Sequence, residues 1–148
     1  LIQPFTGALF NIGIMVPSII QLALTEFINN GQFASHIRKM RVLYNQRRLT
    51  LLAAIDQYLG AFITPMQNNA GMHFAVKITH PKLQQLGDIK LCQHLQKDNI
   101  TSRSLSAYSL FPLPINQQGI LLGFAPFTDK QLTDTAQKMA ASFTKLVK

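Results

Sequence analysis

The sequence predicts an α+β fold in which helices cover a small, mostly antiparallel sheet, with a long helix near the N-terminus. Two observations predict this class. Apolar residues recur at helical spacing in some segments, and the shorter segments between them have the composition and turn boundaries of strands. The resulting order is helix, helix, strand, strand, helix, strand, strand, helix. A chain of 148 residues has the length of one ordinary domain.

The first two predicted helices lie between Pro17 and Gly60. Pro17 suits the first turn of a helix, and an apolar face follows it until Gly31. The second helix is longer and ends at Gly60, a typical C-terminal cap. Its apolar repeat consists of Phe33, Ile37, Met40, Tyr44, Leu51, Ile55 and Tyr58. The opening five residues show no cap or turn signal, and no helix is predicted there.

Four strands are predicted from short segments rich in β-branched and aromatic residues and bounded by turn formers. They are residues 61–64, 72–78, 100–103 and 119–124. The turn between the first two contains Asn68, Asn69 and Gly71. We interpret it as a bulged hairpin turn rather than as a phosphate-binding loop.

Two further helices are predicted to cover the sheet. One spans residues 83–95 and is weakened by Gly87. The last helix begins with a capping-box pattern formed by Thr128 and Gln131. Its apolar residues follow at intervals of three and four: Leu132, Ala136, Met139, Phe143 and Leu146.

Composition limits the classes of protein to which the chain can belong. Hydrophobic residues make up 47% and charged residues only 14% of the chain, so part of the surface is expected to meet a partner. The single Cys92 cannot form an internal disulfide, which favours a reducing, cytoplasmic setting. The four histidines show no metal-ligand spacing, so no metal site is predicted.

The apolar stretch near the N-terminus does not predict a membrane segment. Residues 12–24 are interrupted by Gly13, Pro17, Ser18 and Gln21, and no basic residue precedes them as in a signal peptide. The chain begins with Leu1 rather than Met, and we expect it to be part of a longer protein.

Basic residues are concentrated in the long helix, in a chain of net charge +8. They are Arg38, Lys39, Arg41, Arg47 and Arg48. Such a group can follow the phosphates of a nucleic acid. Helical spacing distributes these side chains around the helix, however, and does not form a narrow basic groove. A solvated or subunit-facing surface is the favoured interpretation.

The segment after the third strand contains the candidate ligand-binding residues Arg103, Ser106 and Tyr108. A guanidinium at the end of a strand can bind a carboxylate with two parallel hydrogen bonds, and a nearby phenol can orient the same ligand. The alternative is a surface arginine and a tyrosine that packs in a loop. The residue types alone leave both open.

No catalytic arrangement emerges from the remaining residues. The segment from Ser142 to Lys145 has the order Ser-x-Thr-Lys, as around some Schiff-base lysines, but Lys145 falls in the last turn of a terminal helix. A structural role is therefore favoured. The six acidic residues are spread along the chain and form no acid-base pair or triad, so we predict no catalytic residue and no cofactor-binding residue here.

Five segments occur in the order found in one known family. Together they resemble the C-terminal part of the MocR/PdxR-type regulators of the GntR family, which have a body like that of fold-type-I aminotransferases. The segments are Leu24-Thr-Glu-Phe-Ile-Asn-Asn-Gly31, His36-Ile-Arg-Lys-Met-Arg-Val-Leu-Tyr-Asn-Gln-Arg-Arg48, Ala70-Gly-Met-His-Phe74, Ser104-Leu-Ser-Ala-Tyr108 and Gly119-Ile-Leu-Leu-Gly-Phe-Ala125. The resemblance covers nearly the whole chain beyond Pro17.

The resemblance implies a domain organisation and a set of partners. Residues 1–148 would be the C-terminal small domain, with a leading segment and helix (1–31), a long helix (32–60) and an α/β sandwich (61–148). The full-length protein would be a cytoplasmic homodimer that binds pyridoxal 5'-phosphate, senses a small amino compound or a vitamin B6-related effector, and binds DNA through an N-terminal domain outside this chain. The family's Schiff-base lysine would also lie outside it, so the isolated chain should hold no cofactor.

One position departs from the pattern of true aminotransferases. The strand that matches residues 120–124 often carries an arginine that binds the substrate carboxylate, and Leu121 stands at that position here. An apolar side chain cannot form this charge pair. The resemblance therefore implies a sensor rather than a transaminase, with Arg103 as the carboxylate-binding candidate.

Three functions remain open at this point. The first is a fragment of a regulator that senses its effector through an aminotransferase-like body. The second is the small domain of a working pyridoxal-phosphate-dependent aminotransferase. The third is a separate α+β interaction domain that dimerises through exposed apolar surface.

Overall fold

The computed structural model describes residues 1–13, 17–67 and 71–148. The chain divides into two compact units, Leu1–Arg41 and Val42–Lys148. The first unit consists of helices, and the second unit contains the sheet with the helices that cover it.

The first unit begins with a helix that the sequence analysis missed. This helix, α1, spans Ile2–Ile12. It has no side-chain cap and no acidic residue in its first turn, so the usual signals of a helix start are missing. It ends at Gly13, which adopts the left-handed conformation with φ of 71°. The second helix, α2 (Ser18–Asn29), confirms the helix predicted after Pro17.

None of the residues of α1 and α2 is buried. Large apolar side chains are exposed on both helices. They include Ile2, Phe5, Leu9, Phe10, Ile12, Ile19, Ile20, Leu22, Leu24 and Ile28. Apolar surface of this extent within one unit is unusual for a domain that has no partner.

The predicted long helix is confirmed as α3 (Gln32–Leu59), which ends directly before Gly60. Its buried residues all lie in the second half: Leu51, Ala54, Ile55 and Leu59. Their spacing of three and four places them on one side of the helix, where they join the core of the second unit.

The sheet confirms the predicted fold class. Its strands are β1 (Ile63–Pro65), β2 (His73–Ile78), β3 (Arg103–Ser104) and β4 (Gly119–Gly123). They lie in the order β1-β2-β4-β3, and each neighbouring pair is antiparallel. Residues 68–70, which belong to the predicted hairpin turn, lie outside the described residues.

The prediction of a strand at residues 100–103 is mostly wrong. Asn99 adopts a left-handed conformation with φ of 59°, and the backbone N–H of Ile100 donates to the carbonyl oxygen of Leu95 at 2.9 Å. Ile100 therefore belongs to the turn that closes a helix, and its side chain is buried in the core. Its apolar character reflects this burial and not pairing in a strand.

The single helix predicted at residues 83–95 is also wrong, because the chain forms two helices there. They are α4 (Pro81–Leu86) and α5 (Asp88–Lys97), separated by Gly87 with φ of 85° and ψ of 152°. Leu83 in α4 and Leu91 in α5 are both fully buried. The apolar spacing passes across the break, so it gave no sign of the interruption.

The last helix, α6 (Asp129–Val147), begins with the predicted capping box. The backbone N–H of Gln131 donates to Thr128 Oγ1 at 3.3 Å, and the backbone N–H of Thr128 donates to Gln131 Oε1 at 2.9 Å. The core lies between one face of the sheet and α3, α4, α5 and α6.

Candidate functional site

The open face of the sheet carries Arg103 and Leu121 side by side. The two residues are direct partners across β3 and β4, and Leu121 also faces Ala75 on β2. The strand neighbours of these three residues are buried against the helices, among them Ser104, Ile120 and Val76. Successive side chains of a strand point to opposite faces, so Arg103, Leu121 and Ala75 lie on the face that the helices do not cover.

This face borders a cleft of about 690 Å³. The cleft is lined by both polar and apolar side chains: His73, Thr101, Ser102, Arg103, Leu105, Tyr108, Leu121 and Gly123. Ligand sites commonly combine apolar walls with a few convergent polar groups. We call this space the Arg103 cleft.

Arg103 and Tyr108 contact each other at the edge of the cleft. Nη1 of Arg103 donates to Oη of Tyr108 at 3.2 Å. A one-turn 3-10 helix, Leu105–Tyr108, follows β3 directly and brings the phenol back beside the guanidinium. Both side chains are exposed.

Arg103 forms no ion pair within the described parts of the chain. A guanidinium has five N–H donors in a planar fork, and only one contact of this group is made, to Tyr108. The side chain therefore presents a positive charge and spare donors to the cleft. This arrangement suits a carboxylate or phosphate group.

Ser106, the third predicted site residue, does not lie with the other two. It lines a second cleft, of about 490 Å³, together with residues of α5 and of the loop at residues 109–113. Its backbone N–H donates to Oδ2 of Asp88 at 3.0 Å. A ligand contact by the Ser106 side chain stays a prediction.

Asp88 is a buried residue beside the clefts whose structural role the sequence analysis missed. It is 1% exposed and stands in the first turn of α5. Its Oδ2 accepts the backbone N–H of Ser106, and also that of Gly119 at 3.3 Å. The carboxylate thus joins the segment that follows Arg103 to the start of β4. A signal existed, because an acidic residue after a glycine favours a helix start.

His73 is one of the residues of the Arg103 cleft that the sequence analysis did not select. It is the cross-strand partner of Gly123 and lies on the exposed face of β2. No nearby spacing of ligands or catalytic groups marked it. Its position follows from the pairing of β2 with β4, which the sequence could not specify.

The basic residues of the long helix differ in their surroundings. Arg38, Lys39 and Arg41 are exposed, whereas Arg47 and Arg48 are half-buried. Arg47 donates to the backbone carbonyl oxygen of Ala125. Arg47 therefore stabilises the protein itself by holding α3 against the chain after β4.

Neither Cys92 nor Lys145 has the surroundings of a nucleophile. Burial raises the pKa of the Cys92 thiol, so the thiol stays protonated at neutral pH. Lys145 is exposed in the last turn of α6. Ser142, near it, donates to the Asp98 carboxylate.

The described residues contain neither a metal-binding cluster nor a membrane-spanning helix. They contain no group of three or more histidine, cysteine, aspartate or glutamate side chains that could hold a metal ion. None of the helices in residues 1–13, 17–67 and 71–148 is long and apolar enough to cross a membrane.

Comparison with curated proteins gives relatives along most of the chain. The probable rhizopine catabolism regulatory protein MocR of Rhizobium meliloti is 30% identical over 142 residues, which are 96% of this chain and 28% of that protein. MocR-type transcriptional regulators are homologues of this chain. The resemblance seen in the sequence is thereby confirmed.

Two HTH-type transcriptional regulators of Bacillus subtilis (strain 168) also match. YhdI is 25% identical over 130 residues, covering 86% of this chain and 26% of that protein. YdeL is 26% identical over 129 residues, covering 83% of this chain and 25% of that protein. The chain therefore spans about a quarter of the length of these curated relatives. No protein-family model matches it.

Solved structures with the same fold are aminotransferases. LysN, the α-aminoadipate aminotransferase of Thermus thermophilus, superposes with a TM-score of 0.82 at 14% identity, over 99% of this chain and 36% of that one. The kynurenine aminotransferase of Pyrococcus horikoshii gives 0.67 at 15% identity, over 82% of this chain and 29% of that one. The chain thus has an aminotransferase-like fold.

Proposed function

We propose that this chain is the aminotransferase-like, effector-sensing C-terminal part of a MocR-type transcription regulator of the GntR family. The observation that carries the proposal is its similarity to three regulators over 83% to 96% of its length. The Arg103 cleft supports it, since sensing requires a ligand site. The full-length protein would bind DNA through a segment outside this chain and would act as a cytoplasmic homodimer.

The effector would be a small anionic amino compound or a vitamin B6-related compound. Arg103 would bind its carboxylate or phosphate, and Tyr108 would orient the same group through its hydroxyl. This role is supported by the 3.2 Å contact between the two side chains and by the absence of an ion pair at Arg103 in the described residues. Ser106 would contribute only if the ligand extended to the second cleft.

Pyridoxal 5'-phosphate would belong to the full-length protein. A Schiff-base lysine needs a pocket that lowers its pKa and holds its carbonyl partner. All nine lysines of this chain are exposed, and none lines the Arg103 cleft. The residues present do not fit covalent attachment of the cofactor, and the attachment site would lie elsewhere in the polypeptide.

The second candidate is the small domain of a working aminotransferase, favoured by the fold shared with two such enzymes. Leu121 weighs against it. The position at which many aminotransferases carry an arginine for the substrate carboxylate is apolar here, and the positive charge stands one strand away at Arg103.

The test is the response of the full-length protein to its effector. Operator affinity would be measured with amino compounds and B6 vitamers, and then with the Arg103→Ala variant. Loss of a charge-assisted pair should raise the effector concentration required by roughly 10- to 100-fold. Pyridoxal-phosphate binding should stay unchanged. Lys138→Ala, which removes an exposed cation of α6 outside the cleft, is the control. An unchanged response in Arg103→Ala would remove Arg103 from the site.

A further inference from the structure

His73 lies across the sheet from Arg103 and lines the same cleft. Strand β4 stands between the two strands that carry them. Leu121 of β4 pairs with Arg103 on one side and with Ala75 on the other. His73 is two residues before Ala75 in β2. Alternate residues of a strand share one face of the sheet, so the imidazole and the guanidinium belong to the same open face.

The floor of the Arg103 cleft is open at Gly123, beside His73. Gly123 is the direct partner of His73 across β2 and β4, and a Cβ atom placed on Gly123 would have no neighbour within 4 Å. Two strand spacings and one step of two residues separate the Cα atoms of His73 and Arg103, which corresponds to about 12 Å. Since both side chains extend from this floor, there is room over Gly123 for a small elongated molecule that contacts both.

Hydrogen-bond donors stand on both sides of this space. Arg103 supplies the N–H groups of its guanidinium from β3, and His73 carries at least one N–H donor on its ring in either protonation state. The described residues that line the cleft include no acidic side chain. An ionised carboxylate has acceptor atoms only, so each side of the cleft suits one carboxylate.

We propose that the effector is a short dicarboxylate whose two ends bind Arg103 and His73. One carboxylate accepts hydrogen bonds from the guanidinium, the other accepts a hydrogen bond from the imidazole, and the carbon chain between them lies over Gly123. This inference rests on the proposed function, because it uses the same arginine. It adds the class of ligand and a second specificity-determining residue on the opposite side of the cleft.

The test compares the affinities of short acids for the full-length protein by isothermal titration calorimetry. Glutarate and adipate are the dicarboxylate probes, and pentanoate and hexanoate are the monocarboxylates of the same chain lengths. A hydrogen bond to a charged group changes affinity by roughly tenfold or more. The better dicarboxylate should therefore bind at least about tenfold more tightly than its matched monocarboxylate. Equal affinities, or no binding of any of the four acids, would overturn the proposal.

Two substitutions of His73 show whether its imidazole holds the second carboxylate. His73→Ala should remove the advantage of the dicarboxylate over the monocarboxylate. His73→Phe, which keeps a planar ring suited to a strand but has no N–H group, should have the same effect. Lys77→Ala is the matched control, since Lys77 is an exposed cation on the same face of β2 and does not line the cleft. This control should change the advantage by less than about twofold.

The outcomes separate this inference from the proposed function. If the dicarboxylate keeps its advantage in His73→Ala and in His73→Phe, both folded by circular dichroism, its second carboxylate binds elsewhere and the inference is wrong. An equal loss in Lys77→Ala would also contradict it, because the advantage would then reflect the general positive charge of the sheet. The role of Arg103 would survive either result. If Arg103→Ala leaves the binding of pentanoate unchanged, the anion site itself is wrong and both proposals fail.

Discussion

Arg103 and Leu121 are the two positions between which we propose that the carboxylate-binding charge has moved. They are partners on adjacent strands, which lie about 5 Å apart in a sheet. A charge moved from one position to the other remains at the same cleft but approaches a ligand from a different side. This shift would preserve recognition of an anion while altering its orientation, which would allow sensing without turnover.

The exchange of positions can be tested by a second-site rescue. Leu121 is half-exposed, so the strand can accept an arginine there without burying the charge. Leu121→Arg introduced into Arg103→Ala should restore binding of a carboxylate effector to within roughly tenfold of the parent. Binding would be followed by calorimetry of the full-length protein. Leu121→Met in the same background supplies length without charge and should restore nothing.

A failure of the rescue has a defined meaning. If Leu121→Arg leaves binding as weak as in Arg103→Ala alone, the two positions do not serve the same ligand. The proposed shift of the carboxylate site from one strand to the next would then be wrong.

Asp88 is expected to hold the segment that follows Arg103 against the start of β4. Asp88→Ala leaves the backbone N–H groups of Ser106 and Gly119 without their carboxylate. We expect a loss of about 2–4 kcal/mol in the free energy of unfolding, and a smaller loss for Asp88→Asn, which keeps one acceptor oxygen. Urea unfolding of parent and variant chains at one protein concentration measures both.

The control for Asp88 is Asp134→Ala, which removes an exposed carboxylate from α6. This change should alter the free energy of unfolding by less than about 0.5 kcal/mol. Equal effects of Asp88→Ala and Asp134→Ala would contradict the structural role assigned to Asp88.

At the level of elements, cap residues correctly predicted the start of α6 and the end of α3. Thr128 with Gln131 marked the start of α6, and Gly60 marked the end of α3, because caps depend on neighbouring residues only. The break at Gly87 escaped because the buried leucines on both sides of it continue one apolar pattern. Helix α1 escaped because it has no side-chain cap.

The candidate site was only partly predictable for a related reason. Arg103 and Tyr108 lie five positions apart and are joined by a single 3-10 turn, so their proximity is local. His73, Gly123 and Asp88 reach the clefts or their supports through strand pairing and helix packing. Contacts between residues that are far apart in the chain produce no recognisable pattern of spacing in a single sequence.

The capping box at the start of α6 leads to a prediction about the stability of the protein. Thr128→Ala removes the hydroxyl that accepts the N–H of Gln131, and should lower the free energy of unfolding by about 1 kcal/mol. Thr144→Ala, an exposed change within the same helix, should have little effect or stabilise slightly. The urea midpoint reports both, and equal midpoints for the two variants would contradict a stabilising role of the cap.

At the scale of the whole molecule, the exposed apolar side chains of the first unit are expected to pack against another molecule. Large apolar side chains are exposed along both α1 and α2, and extended exposed apolar surface marks interaction sites. We predict that the chain of residues 1–148 self-associates on its own. Sedimentation velocity should show concentration-dependent oligomers, and a chain with Phe5, Leu9 and Phe10 replaced by serine should sediment closer to a monomer. Identical, monomeric behaviour of both chains would contradict the prediction.

We propose that the full-length protein regulates transcription and does not mainly transaminate. The most direct measurement is footprinting of the purified full-length protein on the DNA around its own gene, beside an assay of amino-group transfer to a 2-oxo acid. We predict protection of a discrete operator, altered by the effector and less responsive in Arg103→Ala, with little transfer. Efficient amino-group transfer without any protected DNA would contradict this proposal and favour the aminotransferase.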